Sequence, residues 1–272
     1  MTLPLSLRLQ NMFGRIAVFI LAPVYFAAMR LMGYRVRGLN RIREECALHF
    51  RKHEGPWIIC ANHLTMIDSM IVTYAMSSLI RHVAQYRRVP WNLPERTNFQ
   101  RNILLTVLCY LSKCIPVRRG GSRDEMKKTL HRCSALLESN QALLIFPEGG
   151  RSRTGRVNAE SFSYGVGRFV KEFQNCRIMC IYLRGDGQET YGSIPRFGER
   201  FTVNIETFRP EPMEYNGLRA QREYAEQIVN RLSSMEEHYF STHGQRYCGF
   251  SRSTQQEEER ESAIHRPRFH SR

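Results

Sequence analysis

Trp57-Ile58-Ile59-Cys60-Ala61-Asn62-His63-Leu64-Thr65-Met66-Ile67-Asp68 passes within a few residues from an unbroken apolar run into a cluster of polar and titratable groups. A short apolar run without alternation fits a strand buried on both faces, as in the sheet of an α/β domain. The residues beyond it carry chemistry. A neutral imidazole takes a proton from a hydroxyl near pH 7, and a nearby carboxylate fixes its tautomer and stabilises the imidazolium that forms. A second apolar run, Ala142-Leu143-Leu144-Ile145, leads in the same way to Phe146-Pro147-Glu148-Gly149-Gly150-Arg151-Ser152. Charged groups just past two buried strands point to one pocket.

Outward from these runs, short strands and helices alternate. Strands are predicted at 57–60, 114–117, 142–146, 177–183 and 201–208, the last alternating Phe201, Val203 and Ile205 against Thr202, Asn204 and Glu206. Helices are predicted at 65–77, 103–111, 123–138, 164–173 and 218–239, with Met126, Leu130, Cys133, Leu136 and Leu137 marking an apolar face on the third. The order implies an α/β catalytic domain, a central mixed sheet flanked by helices, over residues 46–245. Residues 1–45 read as a membrane-associated helical segment, and 246–272 as a polar, disordered tail.

His63 and Asp68 are five positions apart, which would separate them by about 140° on an unbroken helix. They meet only if His63 lies in the turn before the helix. Thr65-Met66-Ile67-Asp68 has the capping-box form, with Thr65 as N-cap and Asp68 at the third helical position. Asp68 is therefore read as a catalytic partner or a simple cap, and the two roles are compatible. No third ligand with metal-like spacing accompanies the pair, so no metal is expected. The other histidines lack a comparable setting, and Phe162, Tyr164 and Phe169 are expected in the core.

Asn62-His63 with Asp68, followed by Phe146-Pro147-Glu148-Gly149-x-Arg151-Ser152, resembles the glycerolipid acyltransferase family typified by lysophosphatidate acyltransferases. The resemblance runs from Gly55 to Arg184 and includes Ile115-Pro116-Val117-Arg118-Arg119, similar to the family's second block. Arg118 stands where that family usually has an Asp, Lys113 where a Gly is common, and Gly150 where a Thr is common. A fourth block matches loosely at Met179-Cys180-Ile181-Tyr182-Leu183. The resemblance implies transfer of a fatty acyl group from acyl-CoA or acyl-ACP, a co-substrate and not a cofactor, to a lysophospholipid hydroxyl. The acceptor it implies first is 1-acyl-glycerol-3-phosphate, giving phosphatidic acid. It also implies His63 as base, Asp68 as its partner, and Arg119, Glu148, Gly149 and Arg151 as acceptor contacts, with Arg118 adding charge. The departures leave open a specialised lipid or polyene acceptor.

The formal charge of +15 draws the chain to something anionic. Between Arg81 and Lys128, eleven basic residues face three acidic ones, which places the anion-facing surface there. Phospholipid headgroups and an acidic carrier protein both fit. Gln85-Tyr86-Arg87-Arg88-Val89-Pro90-Trp91 interleaves bases and aromatics as a nucleic-acid binder would, so a non-catalytic membrane-surface or nucleic-acid-binding protein is the rival reading. No nucleic-acid-binding motif supports it, and nucleic acid is not expected as a partner. Eight cysteines without metal-ligand spacing favour a reducing compartment.

Ile16 to Met29 is uncharged between Arg15 and Arg30. As a helix those fourteen residues rise about 21 Å, short of a hydrocarbon core of about 30 Å. A helix lying in one leaflet fits at least as well as a spanning one. No small-x-small cleavage site precedes Arg30, against a signal peptide. Arg30, Arg35, Arg37, Arg41 and Arg43 place the following domain on the cytoplasmic side of the membrane.

Overall fold

The computed structural model describes residues 3–99, 102–118, 120–214 and 216–243. The chain opens with α1 (Leu5–Leu31), β1 (Arg35–Val36) and α2 (Leu39–Lys52), and the apolar run of the opening motif forms β2 (Trp57–Ala61), buried at all five positions. Beyond it come α3 (Asp68–Met76), α4 (Leu79–Ala84), β3 (Trp91–Asn92), α5 (Arg96–Phe99), α6 (Ile103–Leu111) and α7 (Arg123–Glu138). The second apolar run forms β4 (Ala142–Ile145), followed by α8 (Gly165–Glu172), β5 (Arg177–Gly185), β6 (Arg200–Phe208) and α9 (Gly217–His243).

Among the described residues the strands make one mixed sheet in the order β1-β6-β5-β2-β4-β3. β5, β2, β4 and β3 run parallel, whereas β6 is antiparallel to β5. Both faces of the parallel strands are covered, which is why they read as continuous apolar runs. Trp57, Ile59, Leu144, Met179 and Ile181 join one core with Phe26 and Met29 of α1, Cys46 and Phe50 of α2 and Ile71 of α3. Ile58, Cys60, Leu143 and Cys180 alternate to the other face, where α7 packs on β4 and the Cys180 thiol approaches the Ile228 carbonyl of α9. Buried cysteines here act as small hydrophobes: Cys46, Cys60, Cys133 and Cys180 are inaccessible to solvent.

Residues Met1–Ser233 form one compact unit and a second begins at Ser234. α2 runs across position 45, and the expected tail, 246–272, lies outside the described residues.

Three expectations change. The predicted strand 114–117 is not a regular strand: Cys114 and Val117 make isolated bridges to Asn92 and Glu95. Ile115 N–H donates to Asn92 at 2.8 Å and Val117 N–H to Pro94 at 2.8 Å, but Pro94 and Pro116 have no N–H with which to complete a ladder. The helix predicted from Thr65 starts at Asp68, with Ile67 at the cap position. The apolar N-terminal helix is longer than its uncharged run: α1 has 27 residues, carries Arg8 and Arg15 inside it, and is long and apolar enough to cross a membrane.

α1 is also packed. Leu7, Gln10, Gly14, Val18, Ala22, Phe26 and Met29 form its buried stripe, against α3, α4 and α6. At Gly14 a Cβ would collide with the Tyr86 hydroxyl and sit 2.8 Å from the Leu111 carbonyl, so only glycine lets the helix approach this closely. The remaining face presents Phe13, Ile16, Phe19, Ile20 and Val24 to the outside, and α6 adds Ile103, Leu104 and Val107.

The interleaved stretch 85–91 is not a base-stacking surface. Trp91 is fully buried with its indole N–H on Gln141 Oε1 at 2.7 Å, and Tyr86 is also in the interior.

Candidate functional site

The C-terminal ends of β2, β3 and β4 share one edge of the sheet, and the motif residues lie in the loops that leave it. Asn62 shapes the first loop. Its amide donates to the Leu183 carbonyl at 3.0 Å and accepts from the Leu183 N–H at 2.7 Å, replacing the next rung of the β2–β5 ladder with a side chain. The backbone is thereby released from the sheet at His63.

His63 and Asp68 meet as the spacing required. His63 Nδ1 is 3.0 Å from Asp68 Oδ2, and the carboxylate is 1% exposed. That oxygen also accepts from Leu64 N–H at 2.6 Å and Thr65 N–H at 2.7 Å, and Oδ1 accepts from the Thr65 hydroxyl. The box is therefore modified: the acid reaches back to the Thr65 backbone, while the Thr65 hydroxyl bonds to the carboxylate rather than to the backbone of the first turn. An ionised carboxylate only accepts, so Nδ1 carries the proton and Nε2 keeps the lone pair. The imidazole stacks on Phe146, with ring centroids 4.1 Å apart and planes at 20°.

The second motif braces the first. Glu148 Oε1 accepts from His63 N–H at 2.9 Å, Oε2 accepts from Asn158 N–H at 3.4 Å, and Ser152 N–H donates to the His63 carbonyl at 2.8 Å. Through Oε1, Glu148 acts as a positioning residue for the histidine loop. Gly149 sits at φ +67°, a left-handed turn that favours glycine. Arg151 is aimed by a third loop: it donates to the Gly192 carbonyl at 2.7 Å and lies over the Tyr191 ring at 5.5 Å. That loop is tied to the histidine loop by Gly192 N–H to Leu64 O at 2.9 Å and Met66 N–H to Ser193 O at 3.1 Å. Arg184, 3% exposed, donates to the carbonyls of Gly155 and Glu189 and clips the loops from beneath.

Sequence reasoning missed the 191–193 loop and Arg184. The turn-forming cluster Tyr191-Gly192-Ser193-Ile194-Pro195 was the available signal for the loop, and Arg184 closing an apolar strand was the signal for the clip. Arg118 follows the Val117 end of the edge segment, but its guanidinium pairs with Glu125 at 3.7 Å and is more than half exposed. Arg119 lies outside the described residues.

These loops border a groove of about 770 Å³. His63, Gly149, Gly150, Arg151, Arg153 and Glu95 line it with polar and charged groups, and Leu93, Val117, Met126, Leu130 and Phe169 supply apolar surface. Phe169, expected only in the core, serves both, and Tyr164 is exposed rather than buried. Among the described residues no three His, Cys, Asp or Glu side chains group as metal ligands. A proton acceptor oriented by a buried carboxylate, in a groove with guanidinium and apolar lining, can activate a hydroxyl on an amphiphile.

No curated protein matches the chain significantly. A scan against protein families matches residues 33–184, more than half of the chain, to the family described as Acyltransferase. The matched span contains the His63–Asp68 pair, its Glu148 brace and Arg151, and the chain belongs to that family, the 1-acylglycerol-3-phosphate O-acyltransferase-like glycerolipid acyltransferases.

Proposed function

We propose that the protein transfers a fatty acyl group from acyl-CoA or acyl-ACP to a lysophospholipid hydroxyl, with 1-acyl-glycerol-3-phosphate as acceptor and phosphatidic acid as product. The observation that carries this reading is the His63–Asp68 pair in a groove with cationic and apolar lining. His63 Nε2 takes the acceptor's hydroxyl proton as the oxygen attacks the thioester carbonyl. The carbon–sulfur bond breaks, and the imidazolium returns the proton to the leaving thiolate, so no acyl-enzyme is needed. Asp68 stabilises the imidazolium, and Glu148 and Gly149 hold the turn that presents Arg151. Gly150 lines the groove without a side chain, which favours, as a second reading, a bulkier specialised lipid or polyene acceptor. Transfer by the purified protein from thioester donors to a panel of lysolipids tests both.

Arg151, with Arg119, is assigned to the acceptor phosphate, where a planar guanidinium binds two oxygens at once. Arg151→Ala is expected to lower kcat/KM for a phosphate-bearing acceptor by about 10- to 100-fold and for a neutral acceptor by much less. Equal losses on both acceptors overturn the assignment.

The outer face of α1, continued by α6, is assigned to lipid, with the catalytic domain on the cytoplasmic side. Ile16, Phe19 and Ile20 are 65%, 66% and 71% exposed and make no part of the buried stripe. Replacing all three by glutamate is expected to move the protein from neutral vesicles into the soluble fraction with its helical circular dichroism retained. A triple variant that floats with vesicles as the parent does assigns the attachment elsewhere. Charge on the basic surface leaves a salt-sensitive residue of binding to anionic lipid.

A further inference from the structure

The loop between β5 and β6 exposes three large apolar side chains beside the groove. Tyr191, Ile194 and Phe197 are 48%, 59% and 78% exposed. Their backbone is nevertheless fixed on two sides. Toward the catalytic histidine, Gly192 N–H donates to the Leu64 carbonyl and Met66 N–H to the Ser193 carbonyl. Toward α1, the Tyr34 hydroxyl donates to the Pro195 carbonyl at 3.1 Å and Gly198 N–H to the Met32 carbonyl at 2.8 Å. Apolar side chains that a fixed backbone holds in water carry a standing cost, and contiguous patches of them mark contact sites.

The patch continues into α1. A Cβ at Gly33 would lie 3.0 Å from Gly198 Cα and 3.8 Å from the Phe197 ring, so that ring stands beside the chain just past Leu31, the last residue of the helix. Leu31 is 76% exposed. It shares one face of α1 with Ile20, since about three turns of 3.6 residues separate them. At the other end of the loop Tyr191 lines the catalytic groove. The charge here is cationic: Arg30, Arg35, Arg196 and Arg200 are exposed, against Glu189 as the exposed acid of the loop. Arg35 and Arg200 are direct partners in the β1–β6 register, where like charges repel unless an anion lies between them. Apolar tips among arginines match a membrane surface, whose acyl chains take the tips and whose anionic headgroups take the guanidiniums. Continuity with a helix long and apolar enough to cross a membrane favours lipid over a protein partner.

We propose that residues 191–197 enter the same lipid surface as α1, with Ile194 and Phe197 reaching the boundary between headgroups and acyl chains. The inference rests on the lipid assignment of α1 and adds a second contact, next to the catalytic groove. Arg151 donates to the Gly192 carbonyl and lies over the Tyr191 ring, so the loop that aims it is then held at headgroup depth, where the phosphate of a membrane-embedded acceptor lies.

The chain's two tryptophans, Trp57 and Trp91, are both buried, so a tryptophan placed on the surface reports its own surroundings above a constant background. Three single variants of the full chain, Phe197→Trp, Phe19→Trp and Glu54→Trp, are incorporated into vesicles of phosphatidylcholine with a minor share of phosphatidylglycerol. Their emission is compared with and without bromine on the acyl chains, since bromine quenches an indole that it touches. Glu54 is exposed just before β2, at the opposite edge of the sheet from the loop, and serves as the control. Loss of the added emission at positions 197 and 19, with position 54 spared, is expected. Quenching at 19 without 197 overturns the loop contact and leaves α1 in the membrane. Quenching at 197 without 19 upholds the loop and removes the α1 assignment, and quenching at neither removes both. Equal quenching at all three positions means unspecific adsorption and overturns the proposal as well. If circular dichroism shows that Phe197→Trp misfolds, Ile194→Trp is read in its place.

Discussion

His63→Ala is expected to lower kcat by about 10²- to 10⁴-fold, the range over which a positioned general base contributes, while the protein stays folded. The geometry separates the two effects. The loop keeps its course without the imidazole, because it is held by backbone bonds from position 63 to Glu148 and Ser152 and by the Leu64 and Met66 bonds to the 191–193 loop. Asp68 keeps three other donors, from Leu64 N–H, Thr65 N–H and the Thr65 hydroxyl, so its carboxylate is not left unpaired. What is lost structurally is the stack on Phe146, worth about 0.5–1.5 kcal/mol. Single-turnover transfer with a saturating thioester gives the rate, and thermal unfolding gives the stability. A variant that turns over near the parent rate removes His63 as the base; one that loses activity only because it unfolds shows up in the melting curve.

The parts of the fold that were legible are those in which local chemistry decides the structure. β2 and β4 announce themselves because burial on both faces demands unbroken apolar runs, and α7 has the predicted bounds because Ser122 and Glu125 form a complete capping box before an amphipathic stretch. β1 and β3 were not legible: two residues carry no period, and they become strands only through their partners β6 and β4. α2 was missed for another reason, since Ile42, Cys46 and Phe50 do recur at helical spacing but are set among arginines that drew attention to charge. The site divides in the same way. His63, Asp68 and Arg151 are residue types whose chemistry narrows their roles, and the structure brings all three to the loops beyond the parallel strands. Asn62 bonding to Leu183, Gly192 to Leu64 and Arg184 to Gly155 are contacts between segments far apart in sequence, set by backbone geometry that no local pattern encodes. Glu148 takes on a bracing role that no local pattern announces: Oε1 accepts from the backbone N–H of His63 and Oε2 from that of Asn158.

Asp68→Asn is expected to lower kcat by about 10²- to 10⁴-fold with most of the stability retained, and Thr65→Ala, at a similar small cost in stability, to leave kcat nearly unchanged. The asparagine has one workable orientation. Its carbonyl oxygen takes the place of Oδ2, where Leu64 N–H, Thr65 N–H and His63 Nδ1–H all donate, and its NH₂ takes the place of Oδ1, where the Thr65 hydroxyl turns from donor to acceptor. The opposite orientation would set an amide donor against two backbone donors. The imidazole therefore keeps its tautomer and position, and what disappears is the negative charge beside the imidazolium as the acceptor's proton is taken. Exchanging charged for neutral hydrogen bonds costs about 1–2 kcal/mol of stability, small beside the loss of rate. Thr65→Ala removes one hydroxyl from a carboxylate that retains three donors, at a cost of about 1 kcal/mol and with little effect on kcat. If Asp68 served only to tie the loop to α3, each variant would lose activity in proportion to its lost stability, and Asp68→Asn would turn over nearly normally below its melting temperature. Measuring kcat and melting temperature for both variants decides between a carboxylate that stabilises a charge and one that fastens a loop.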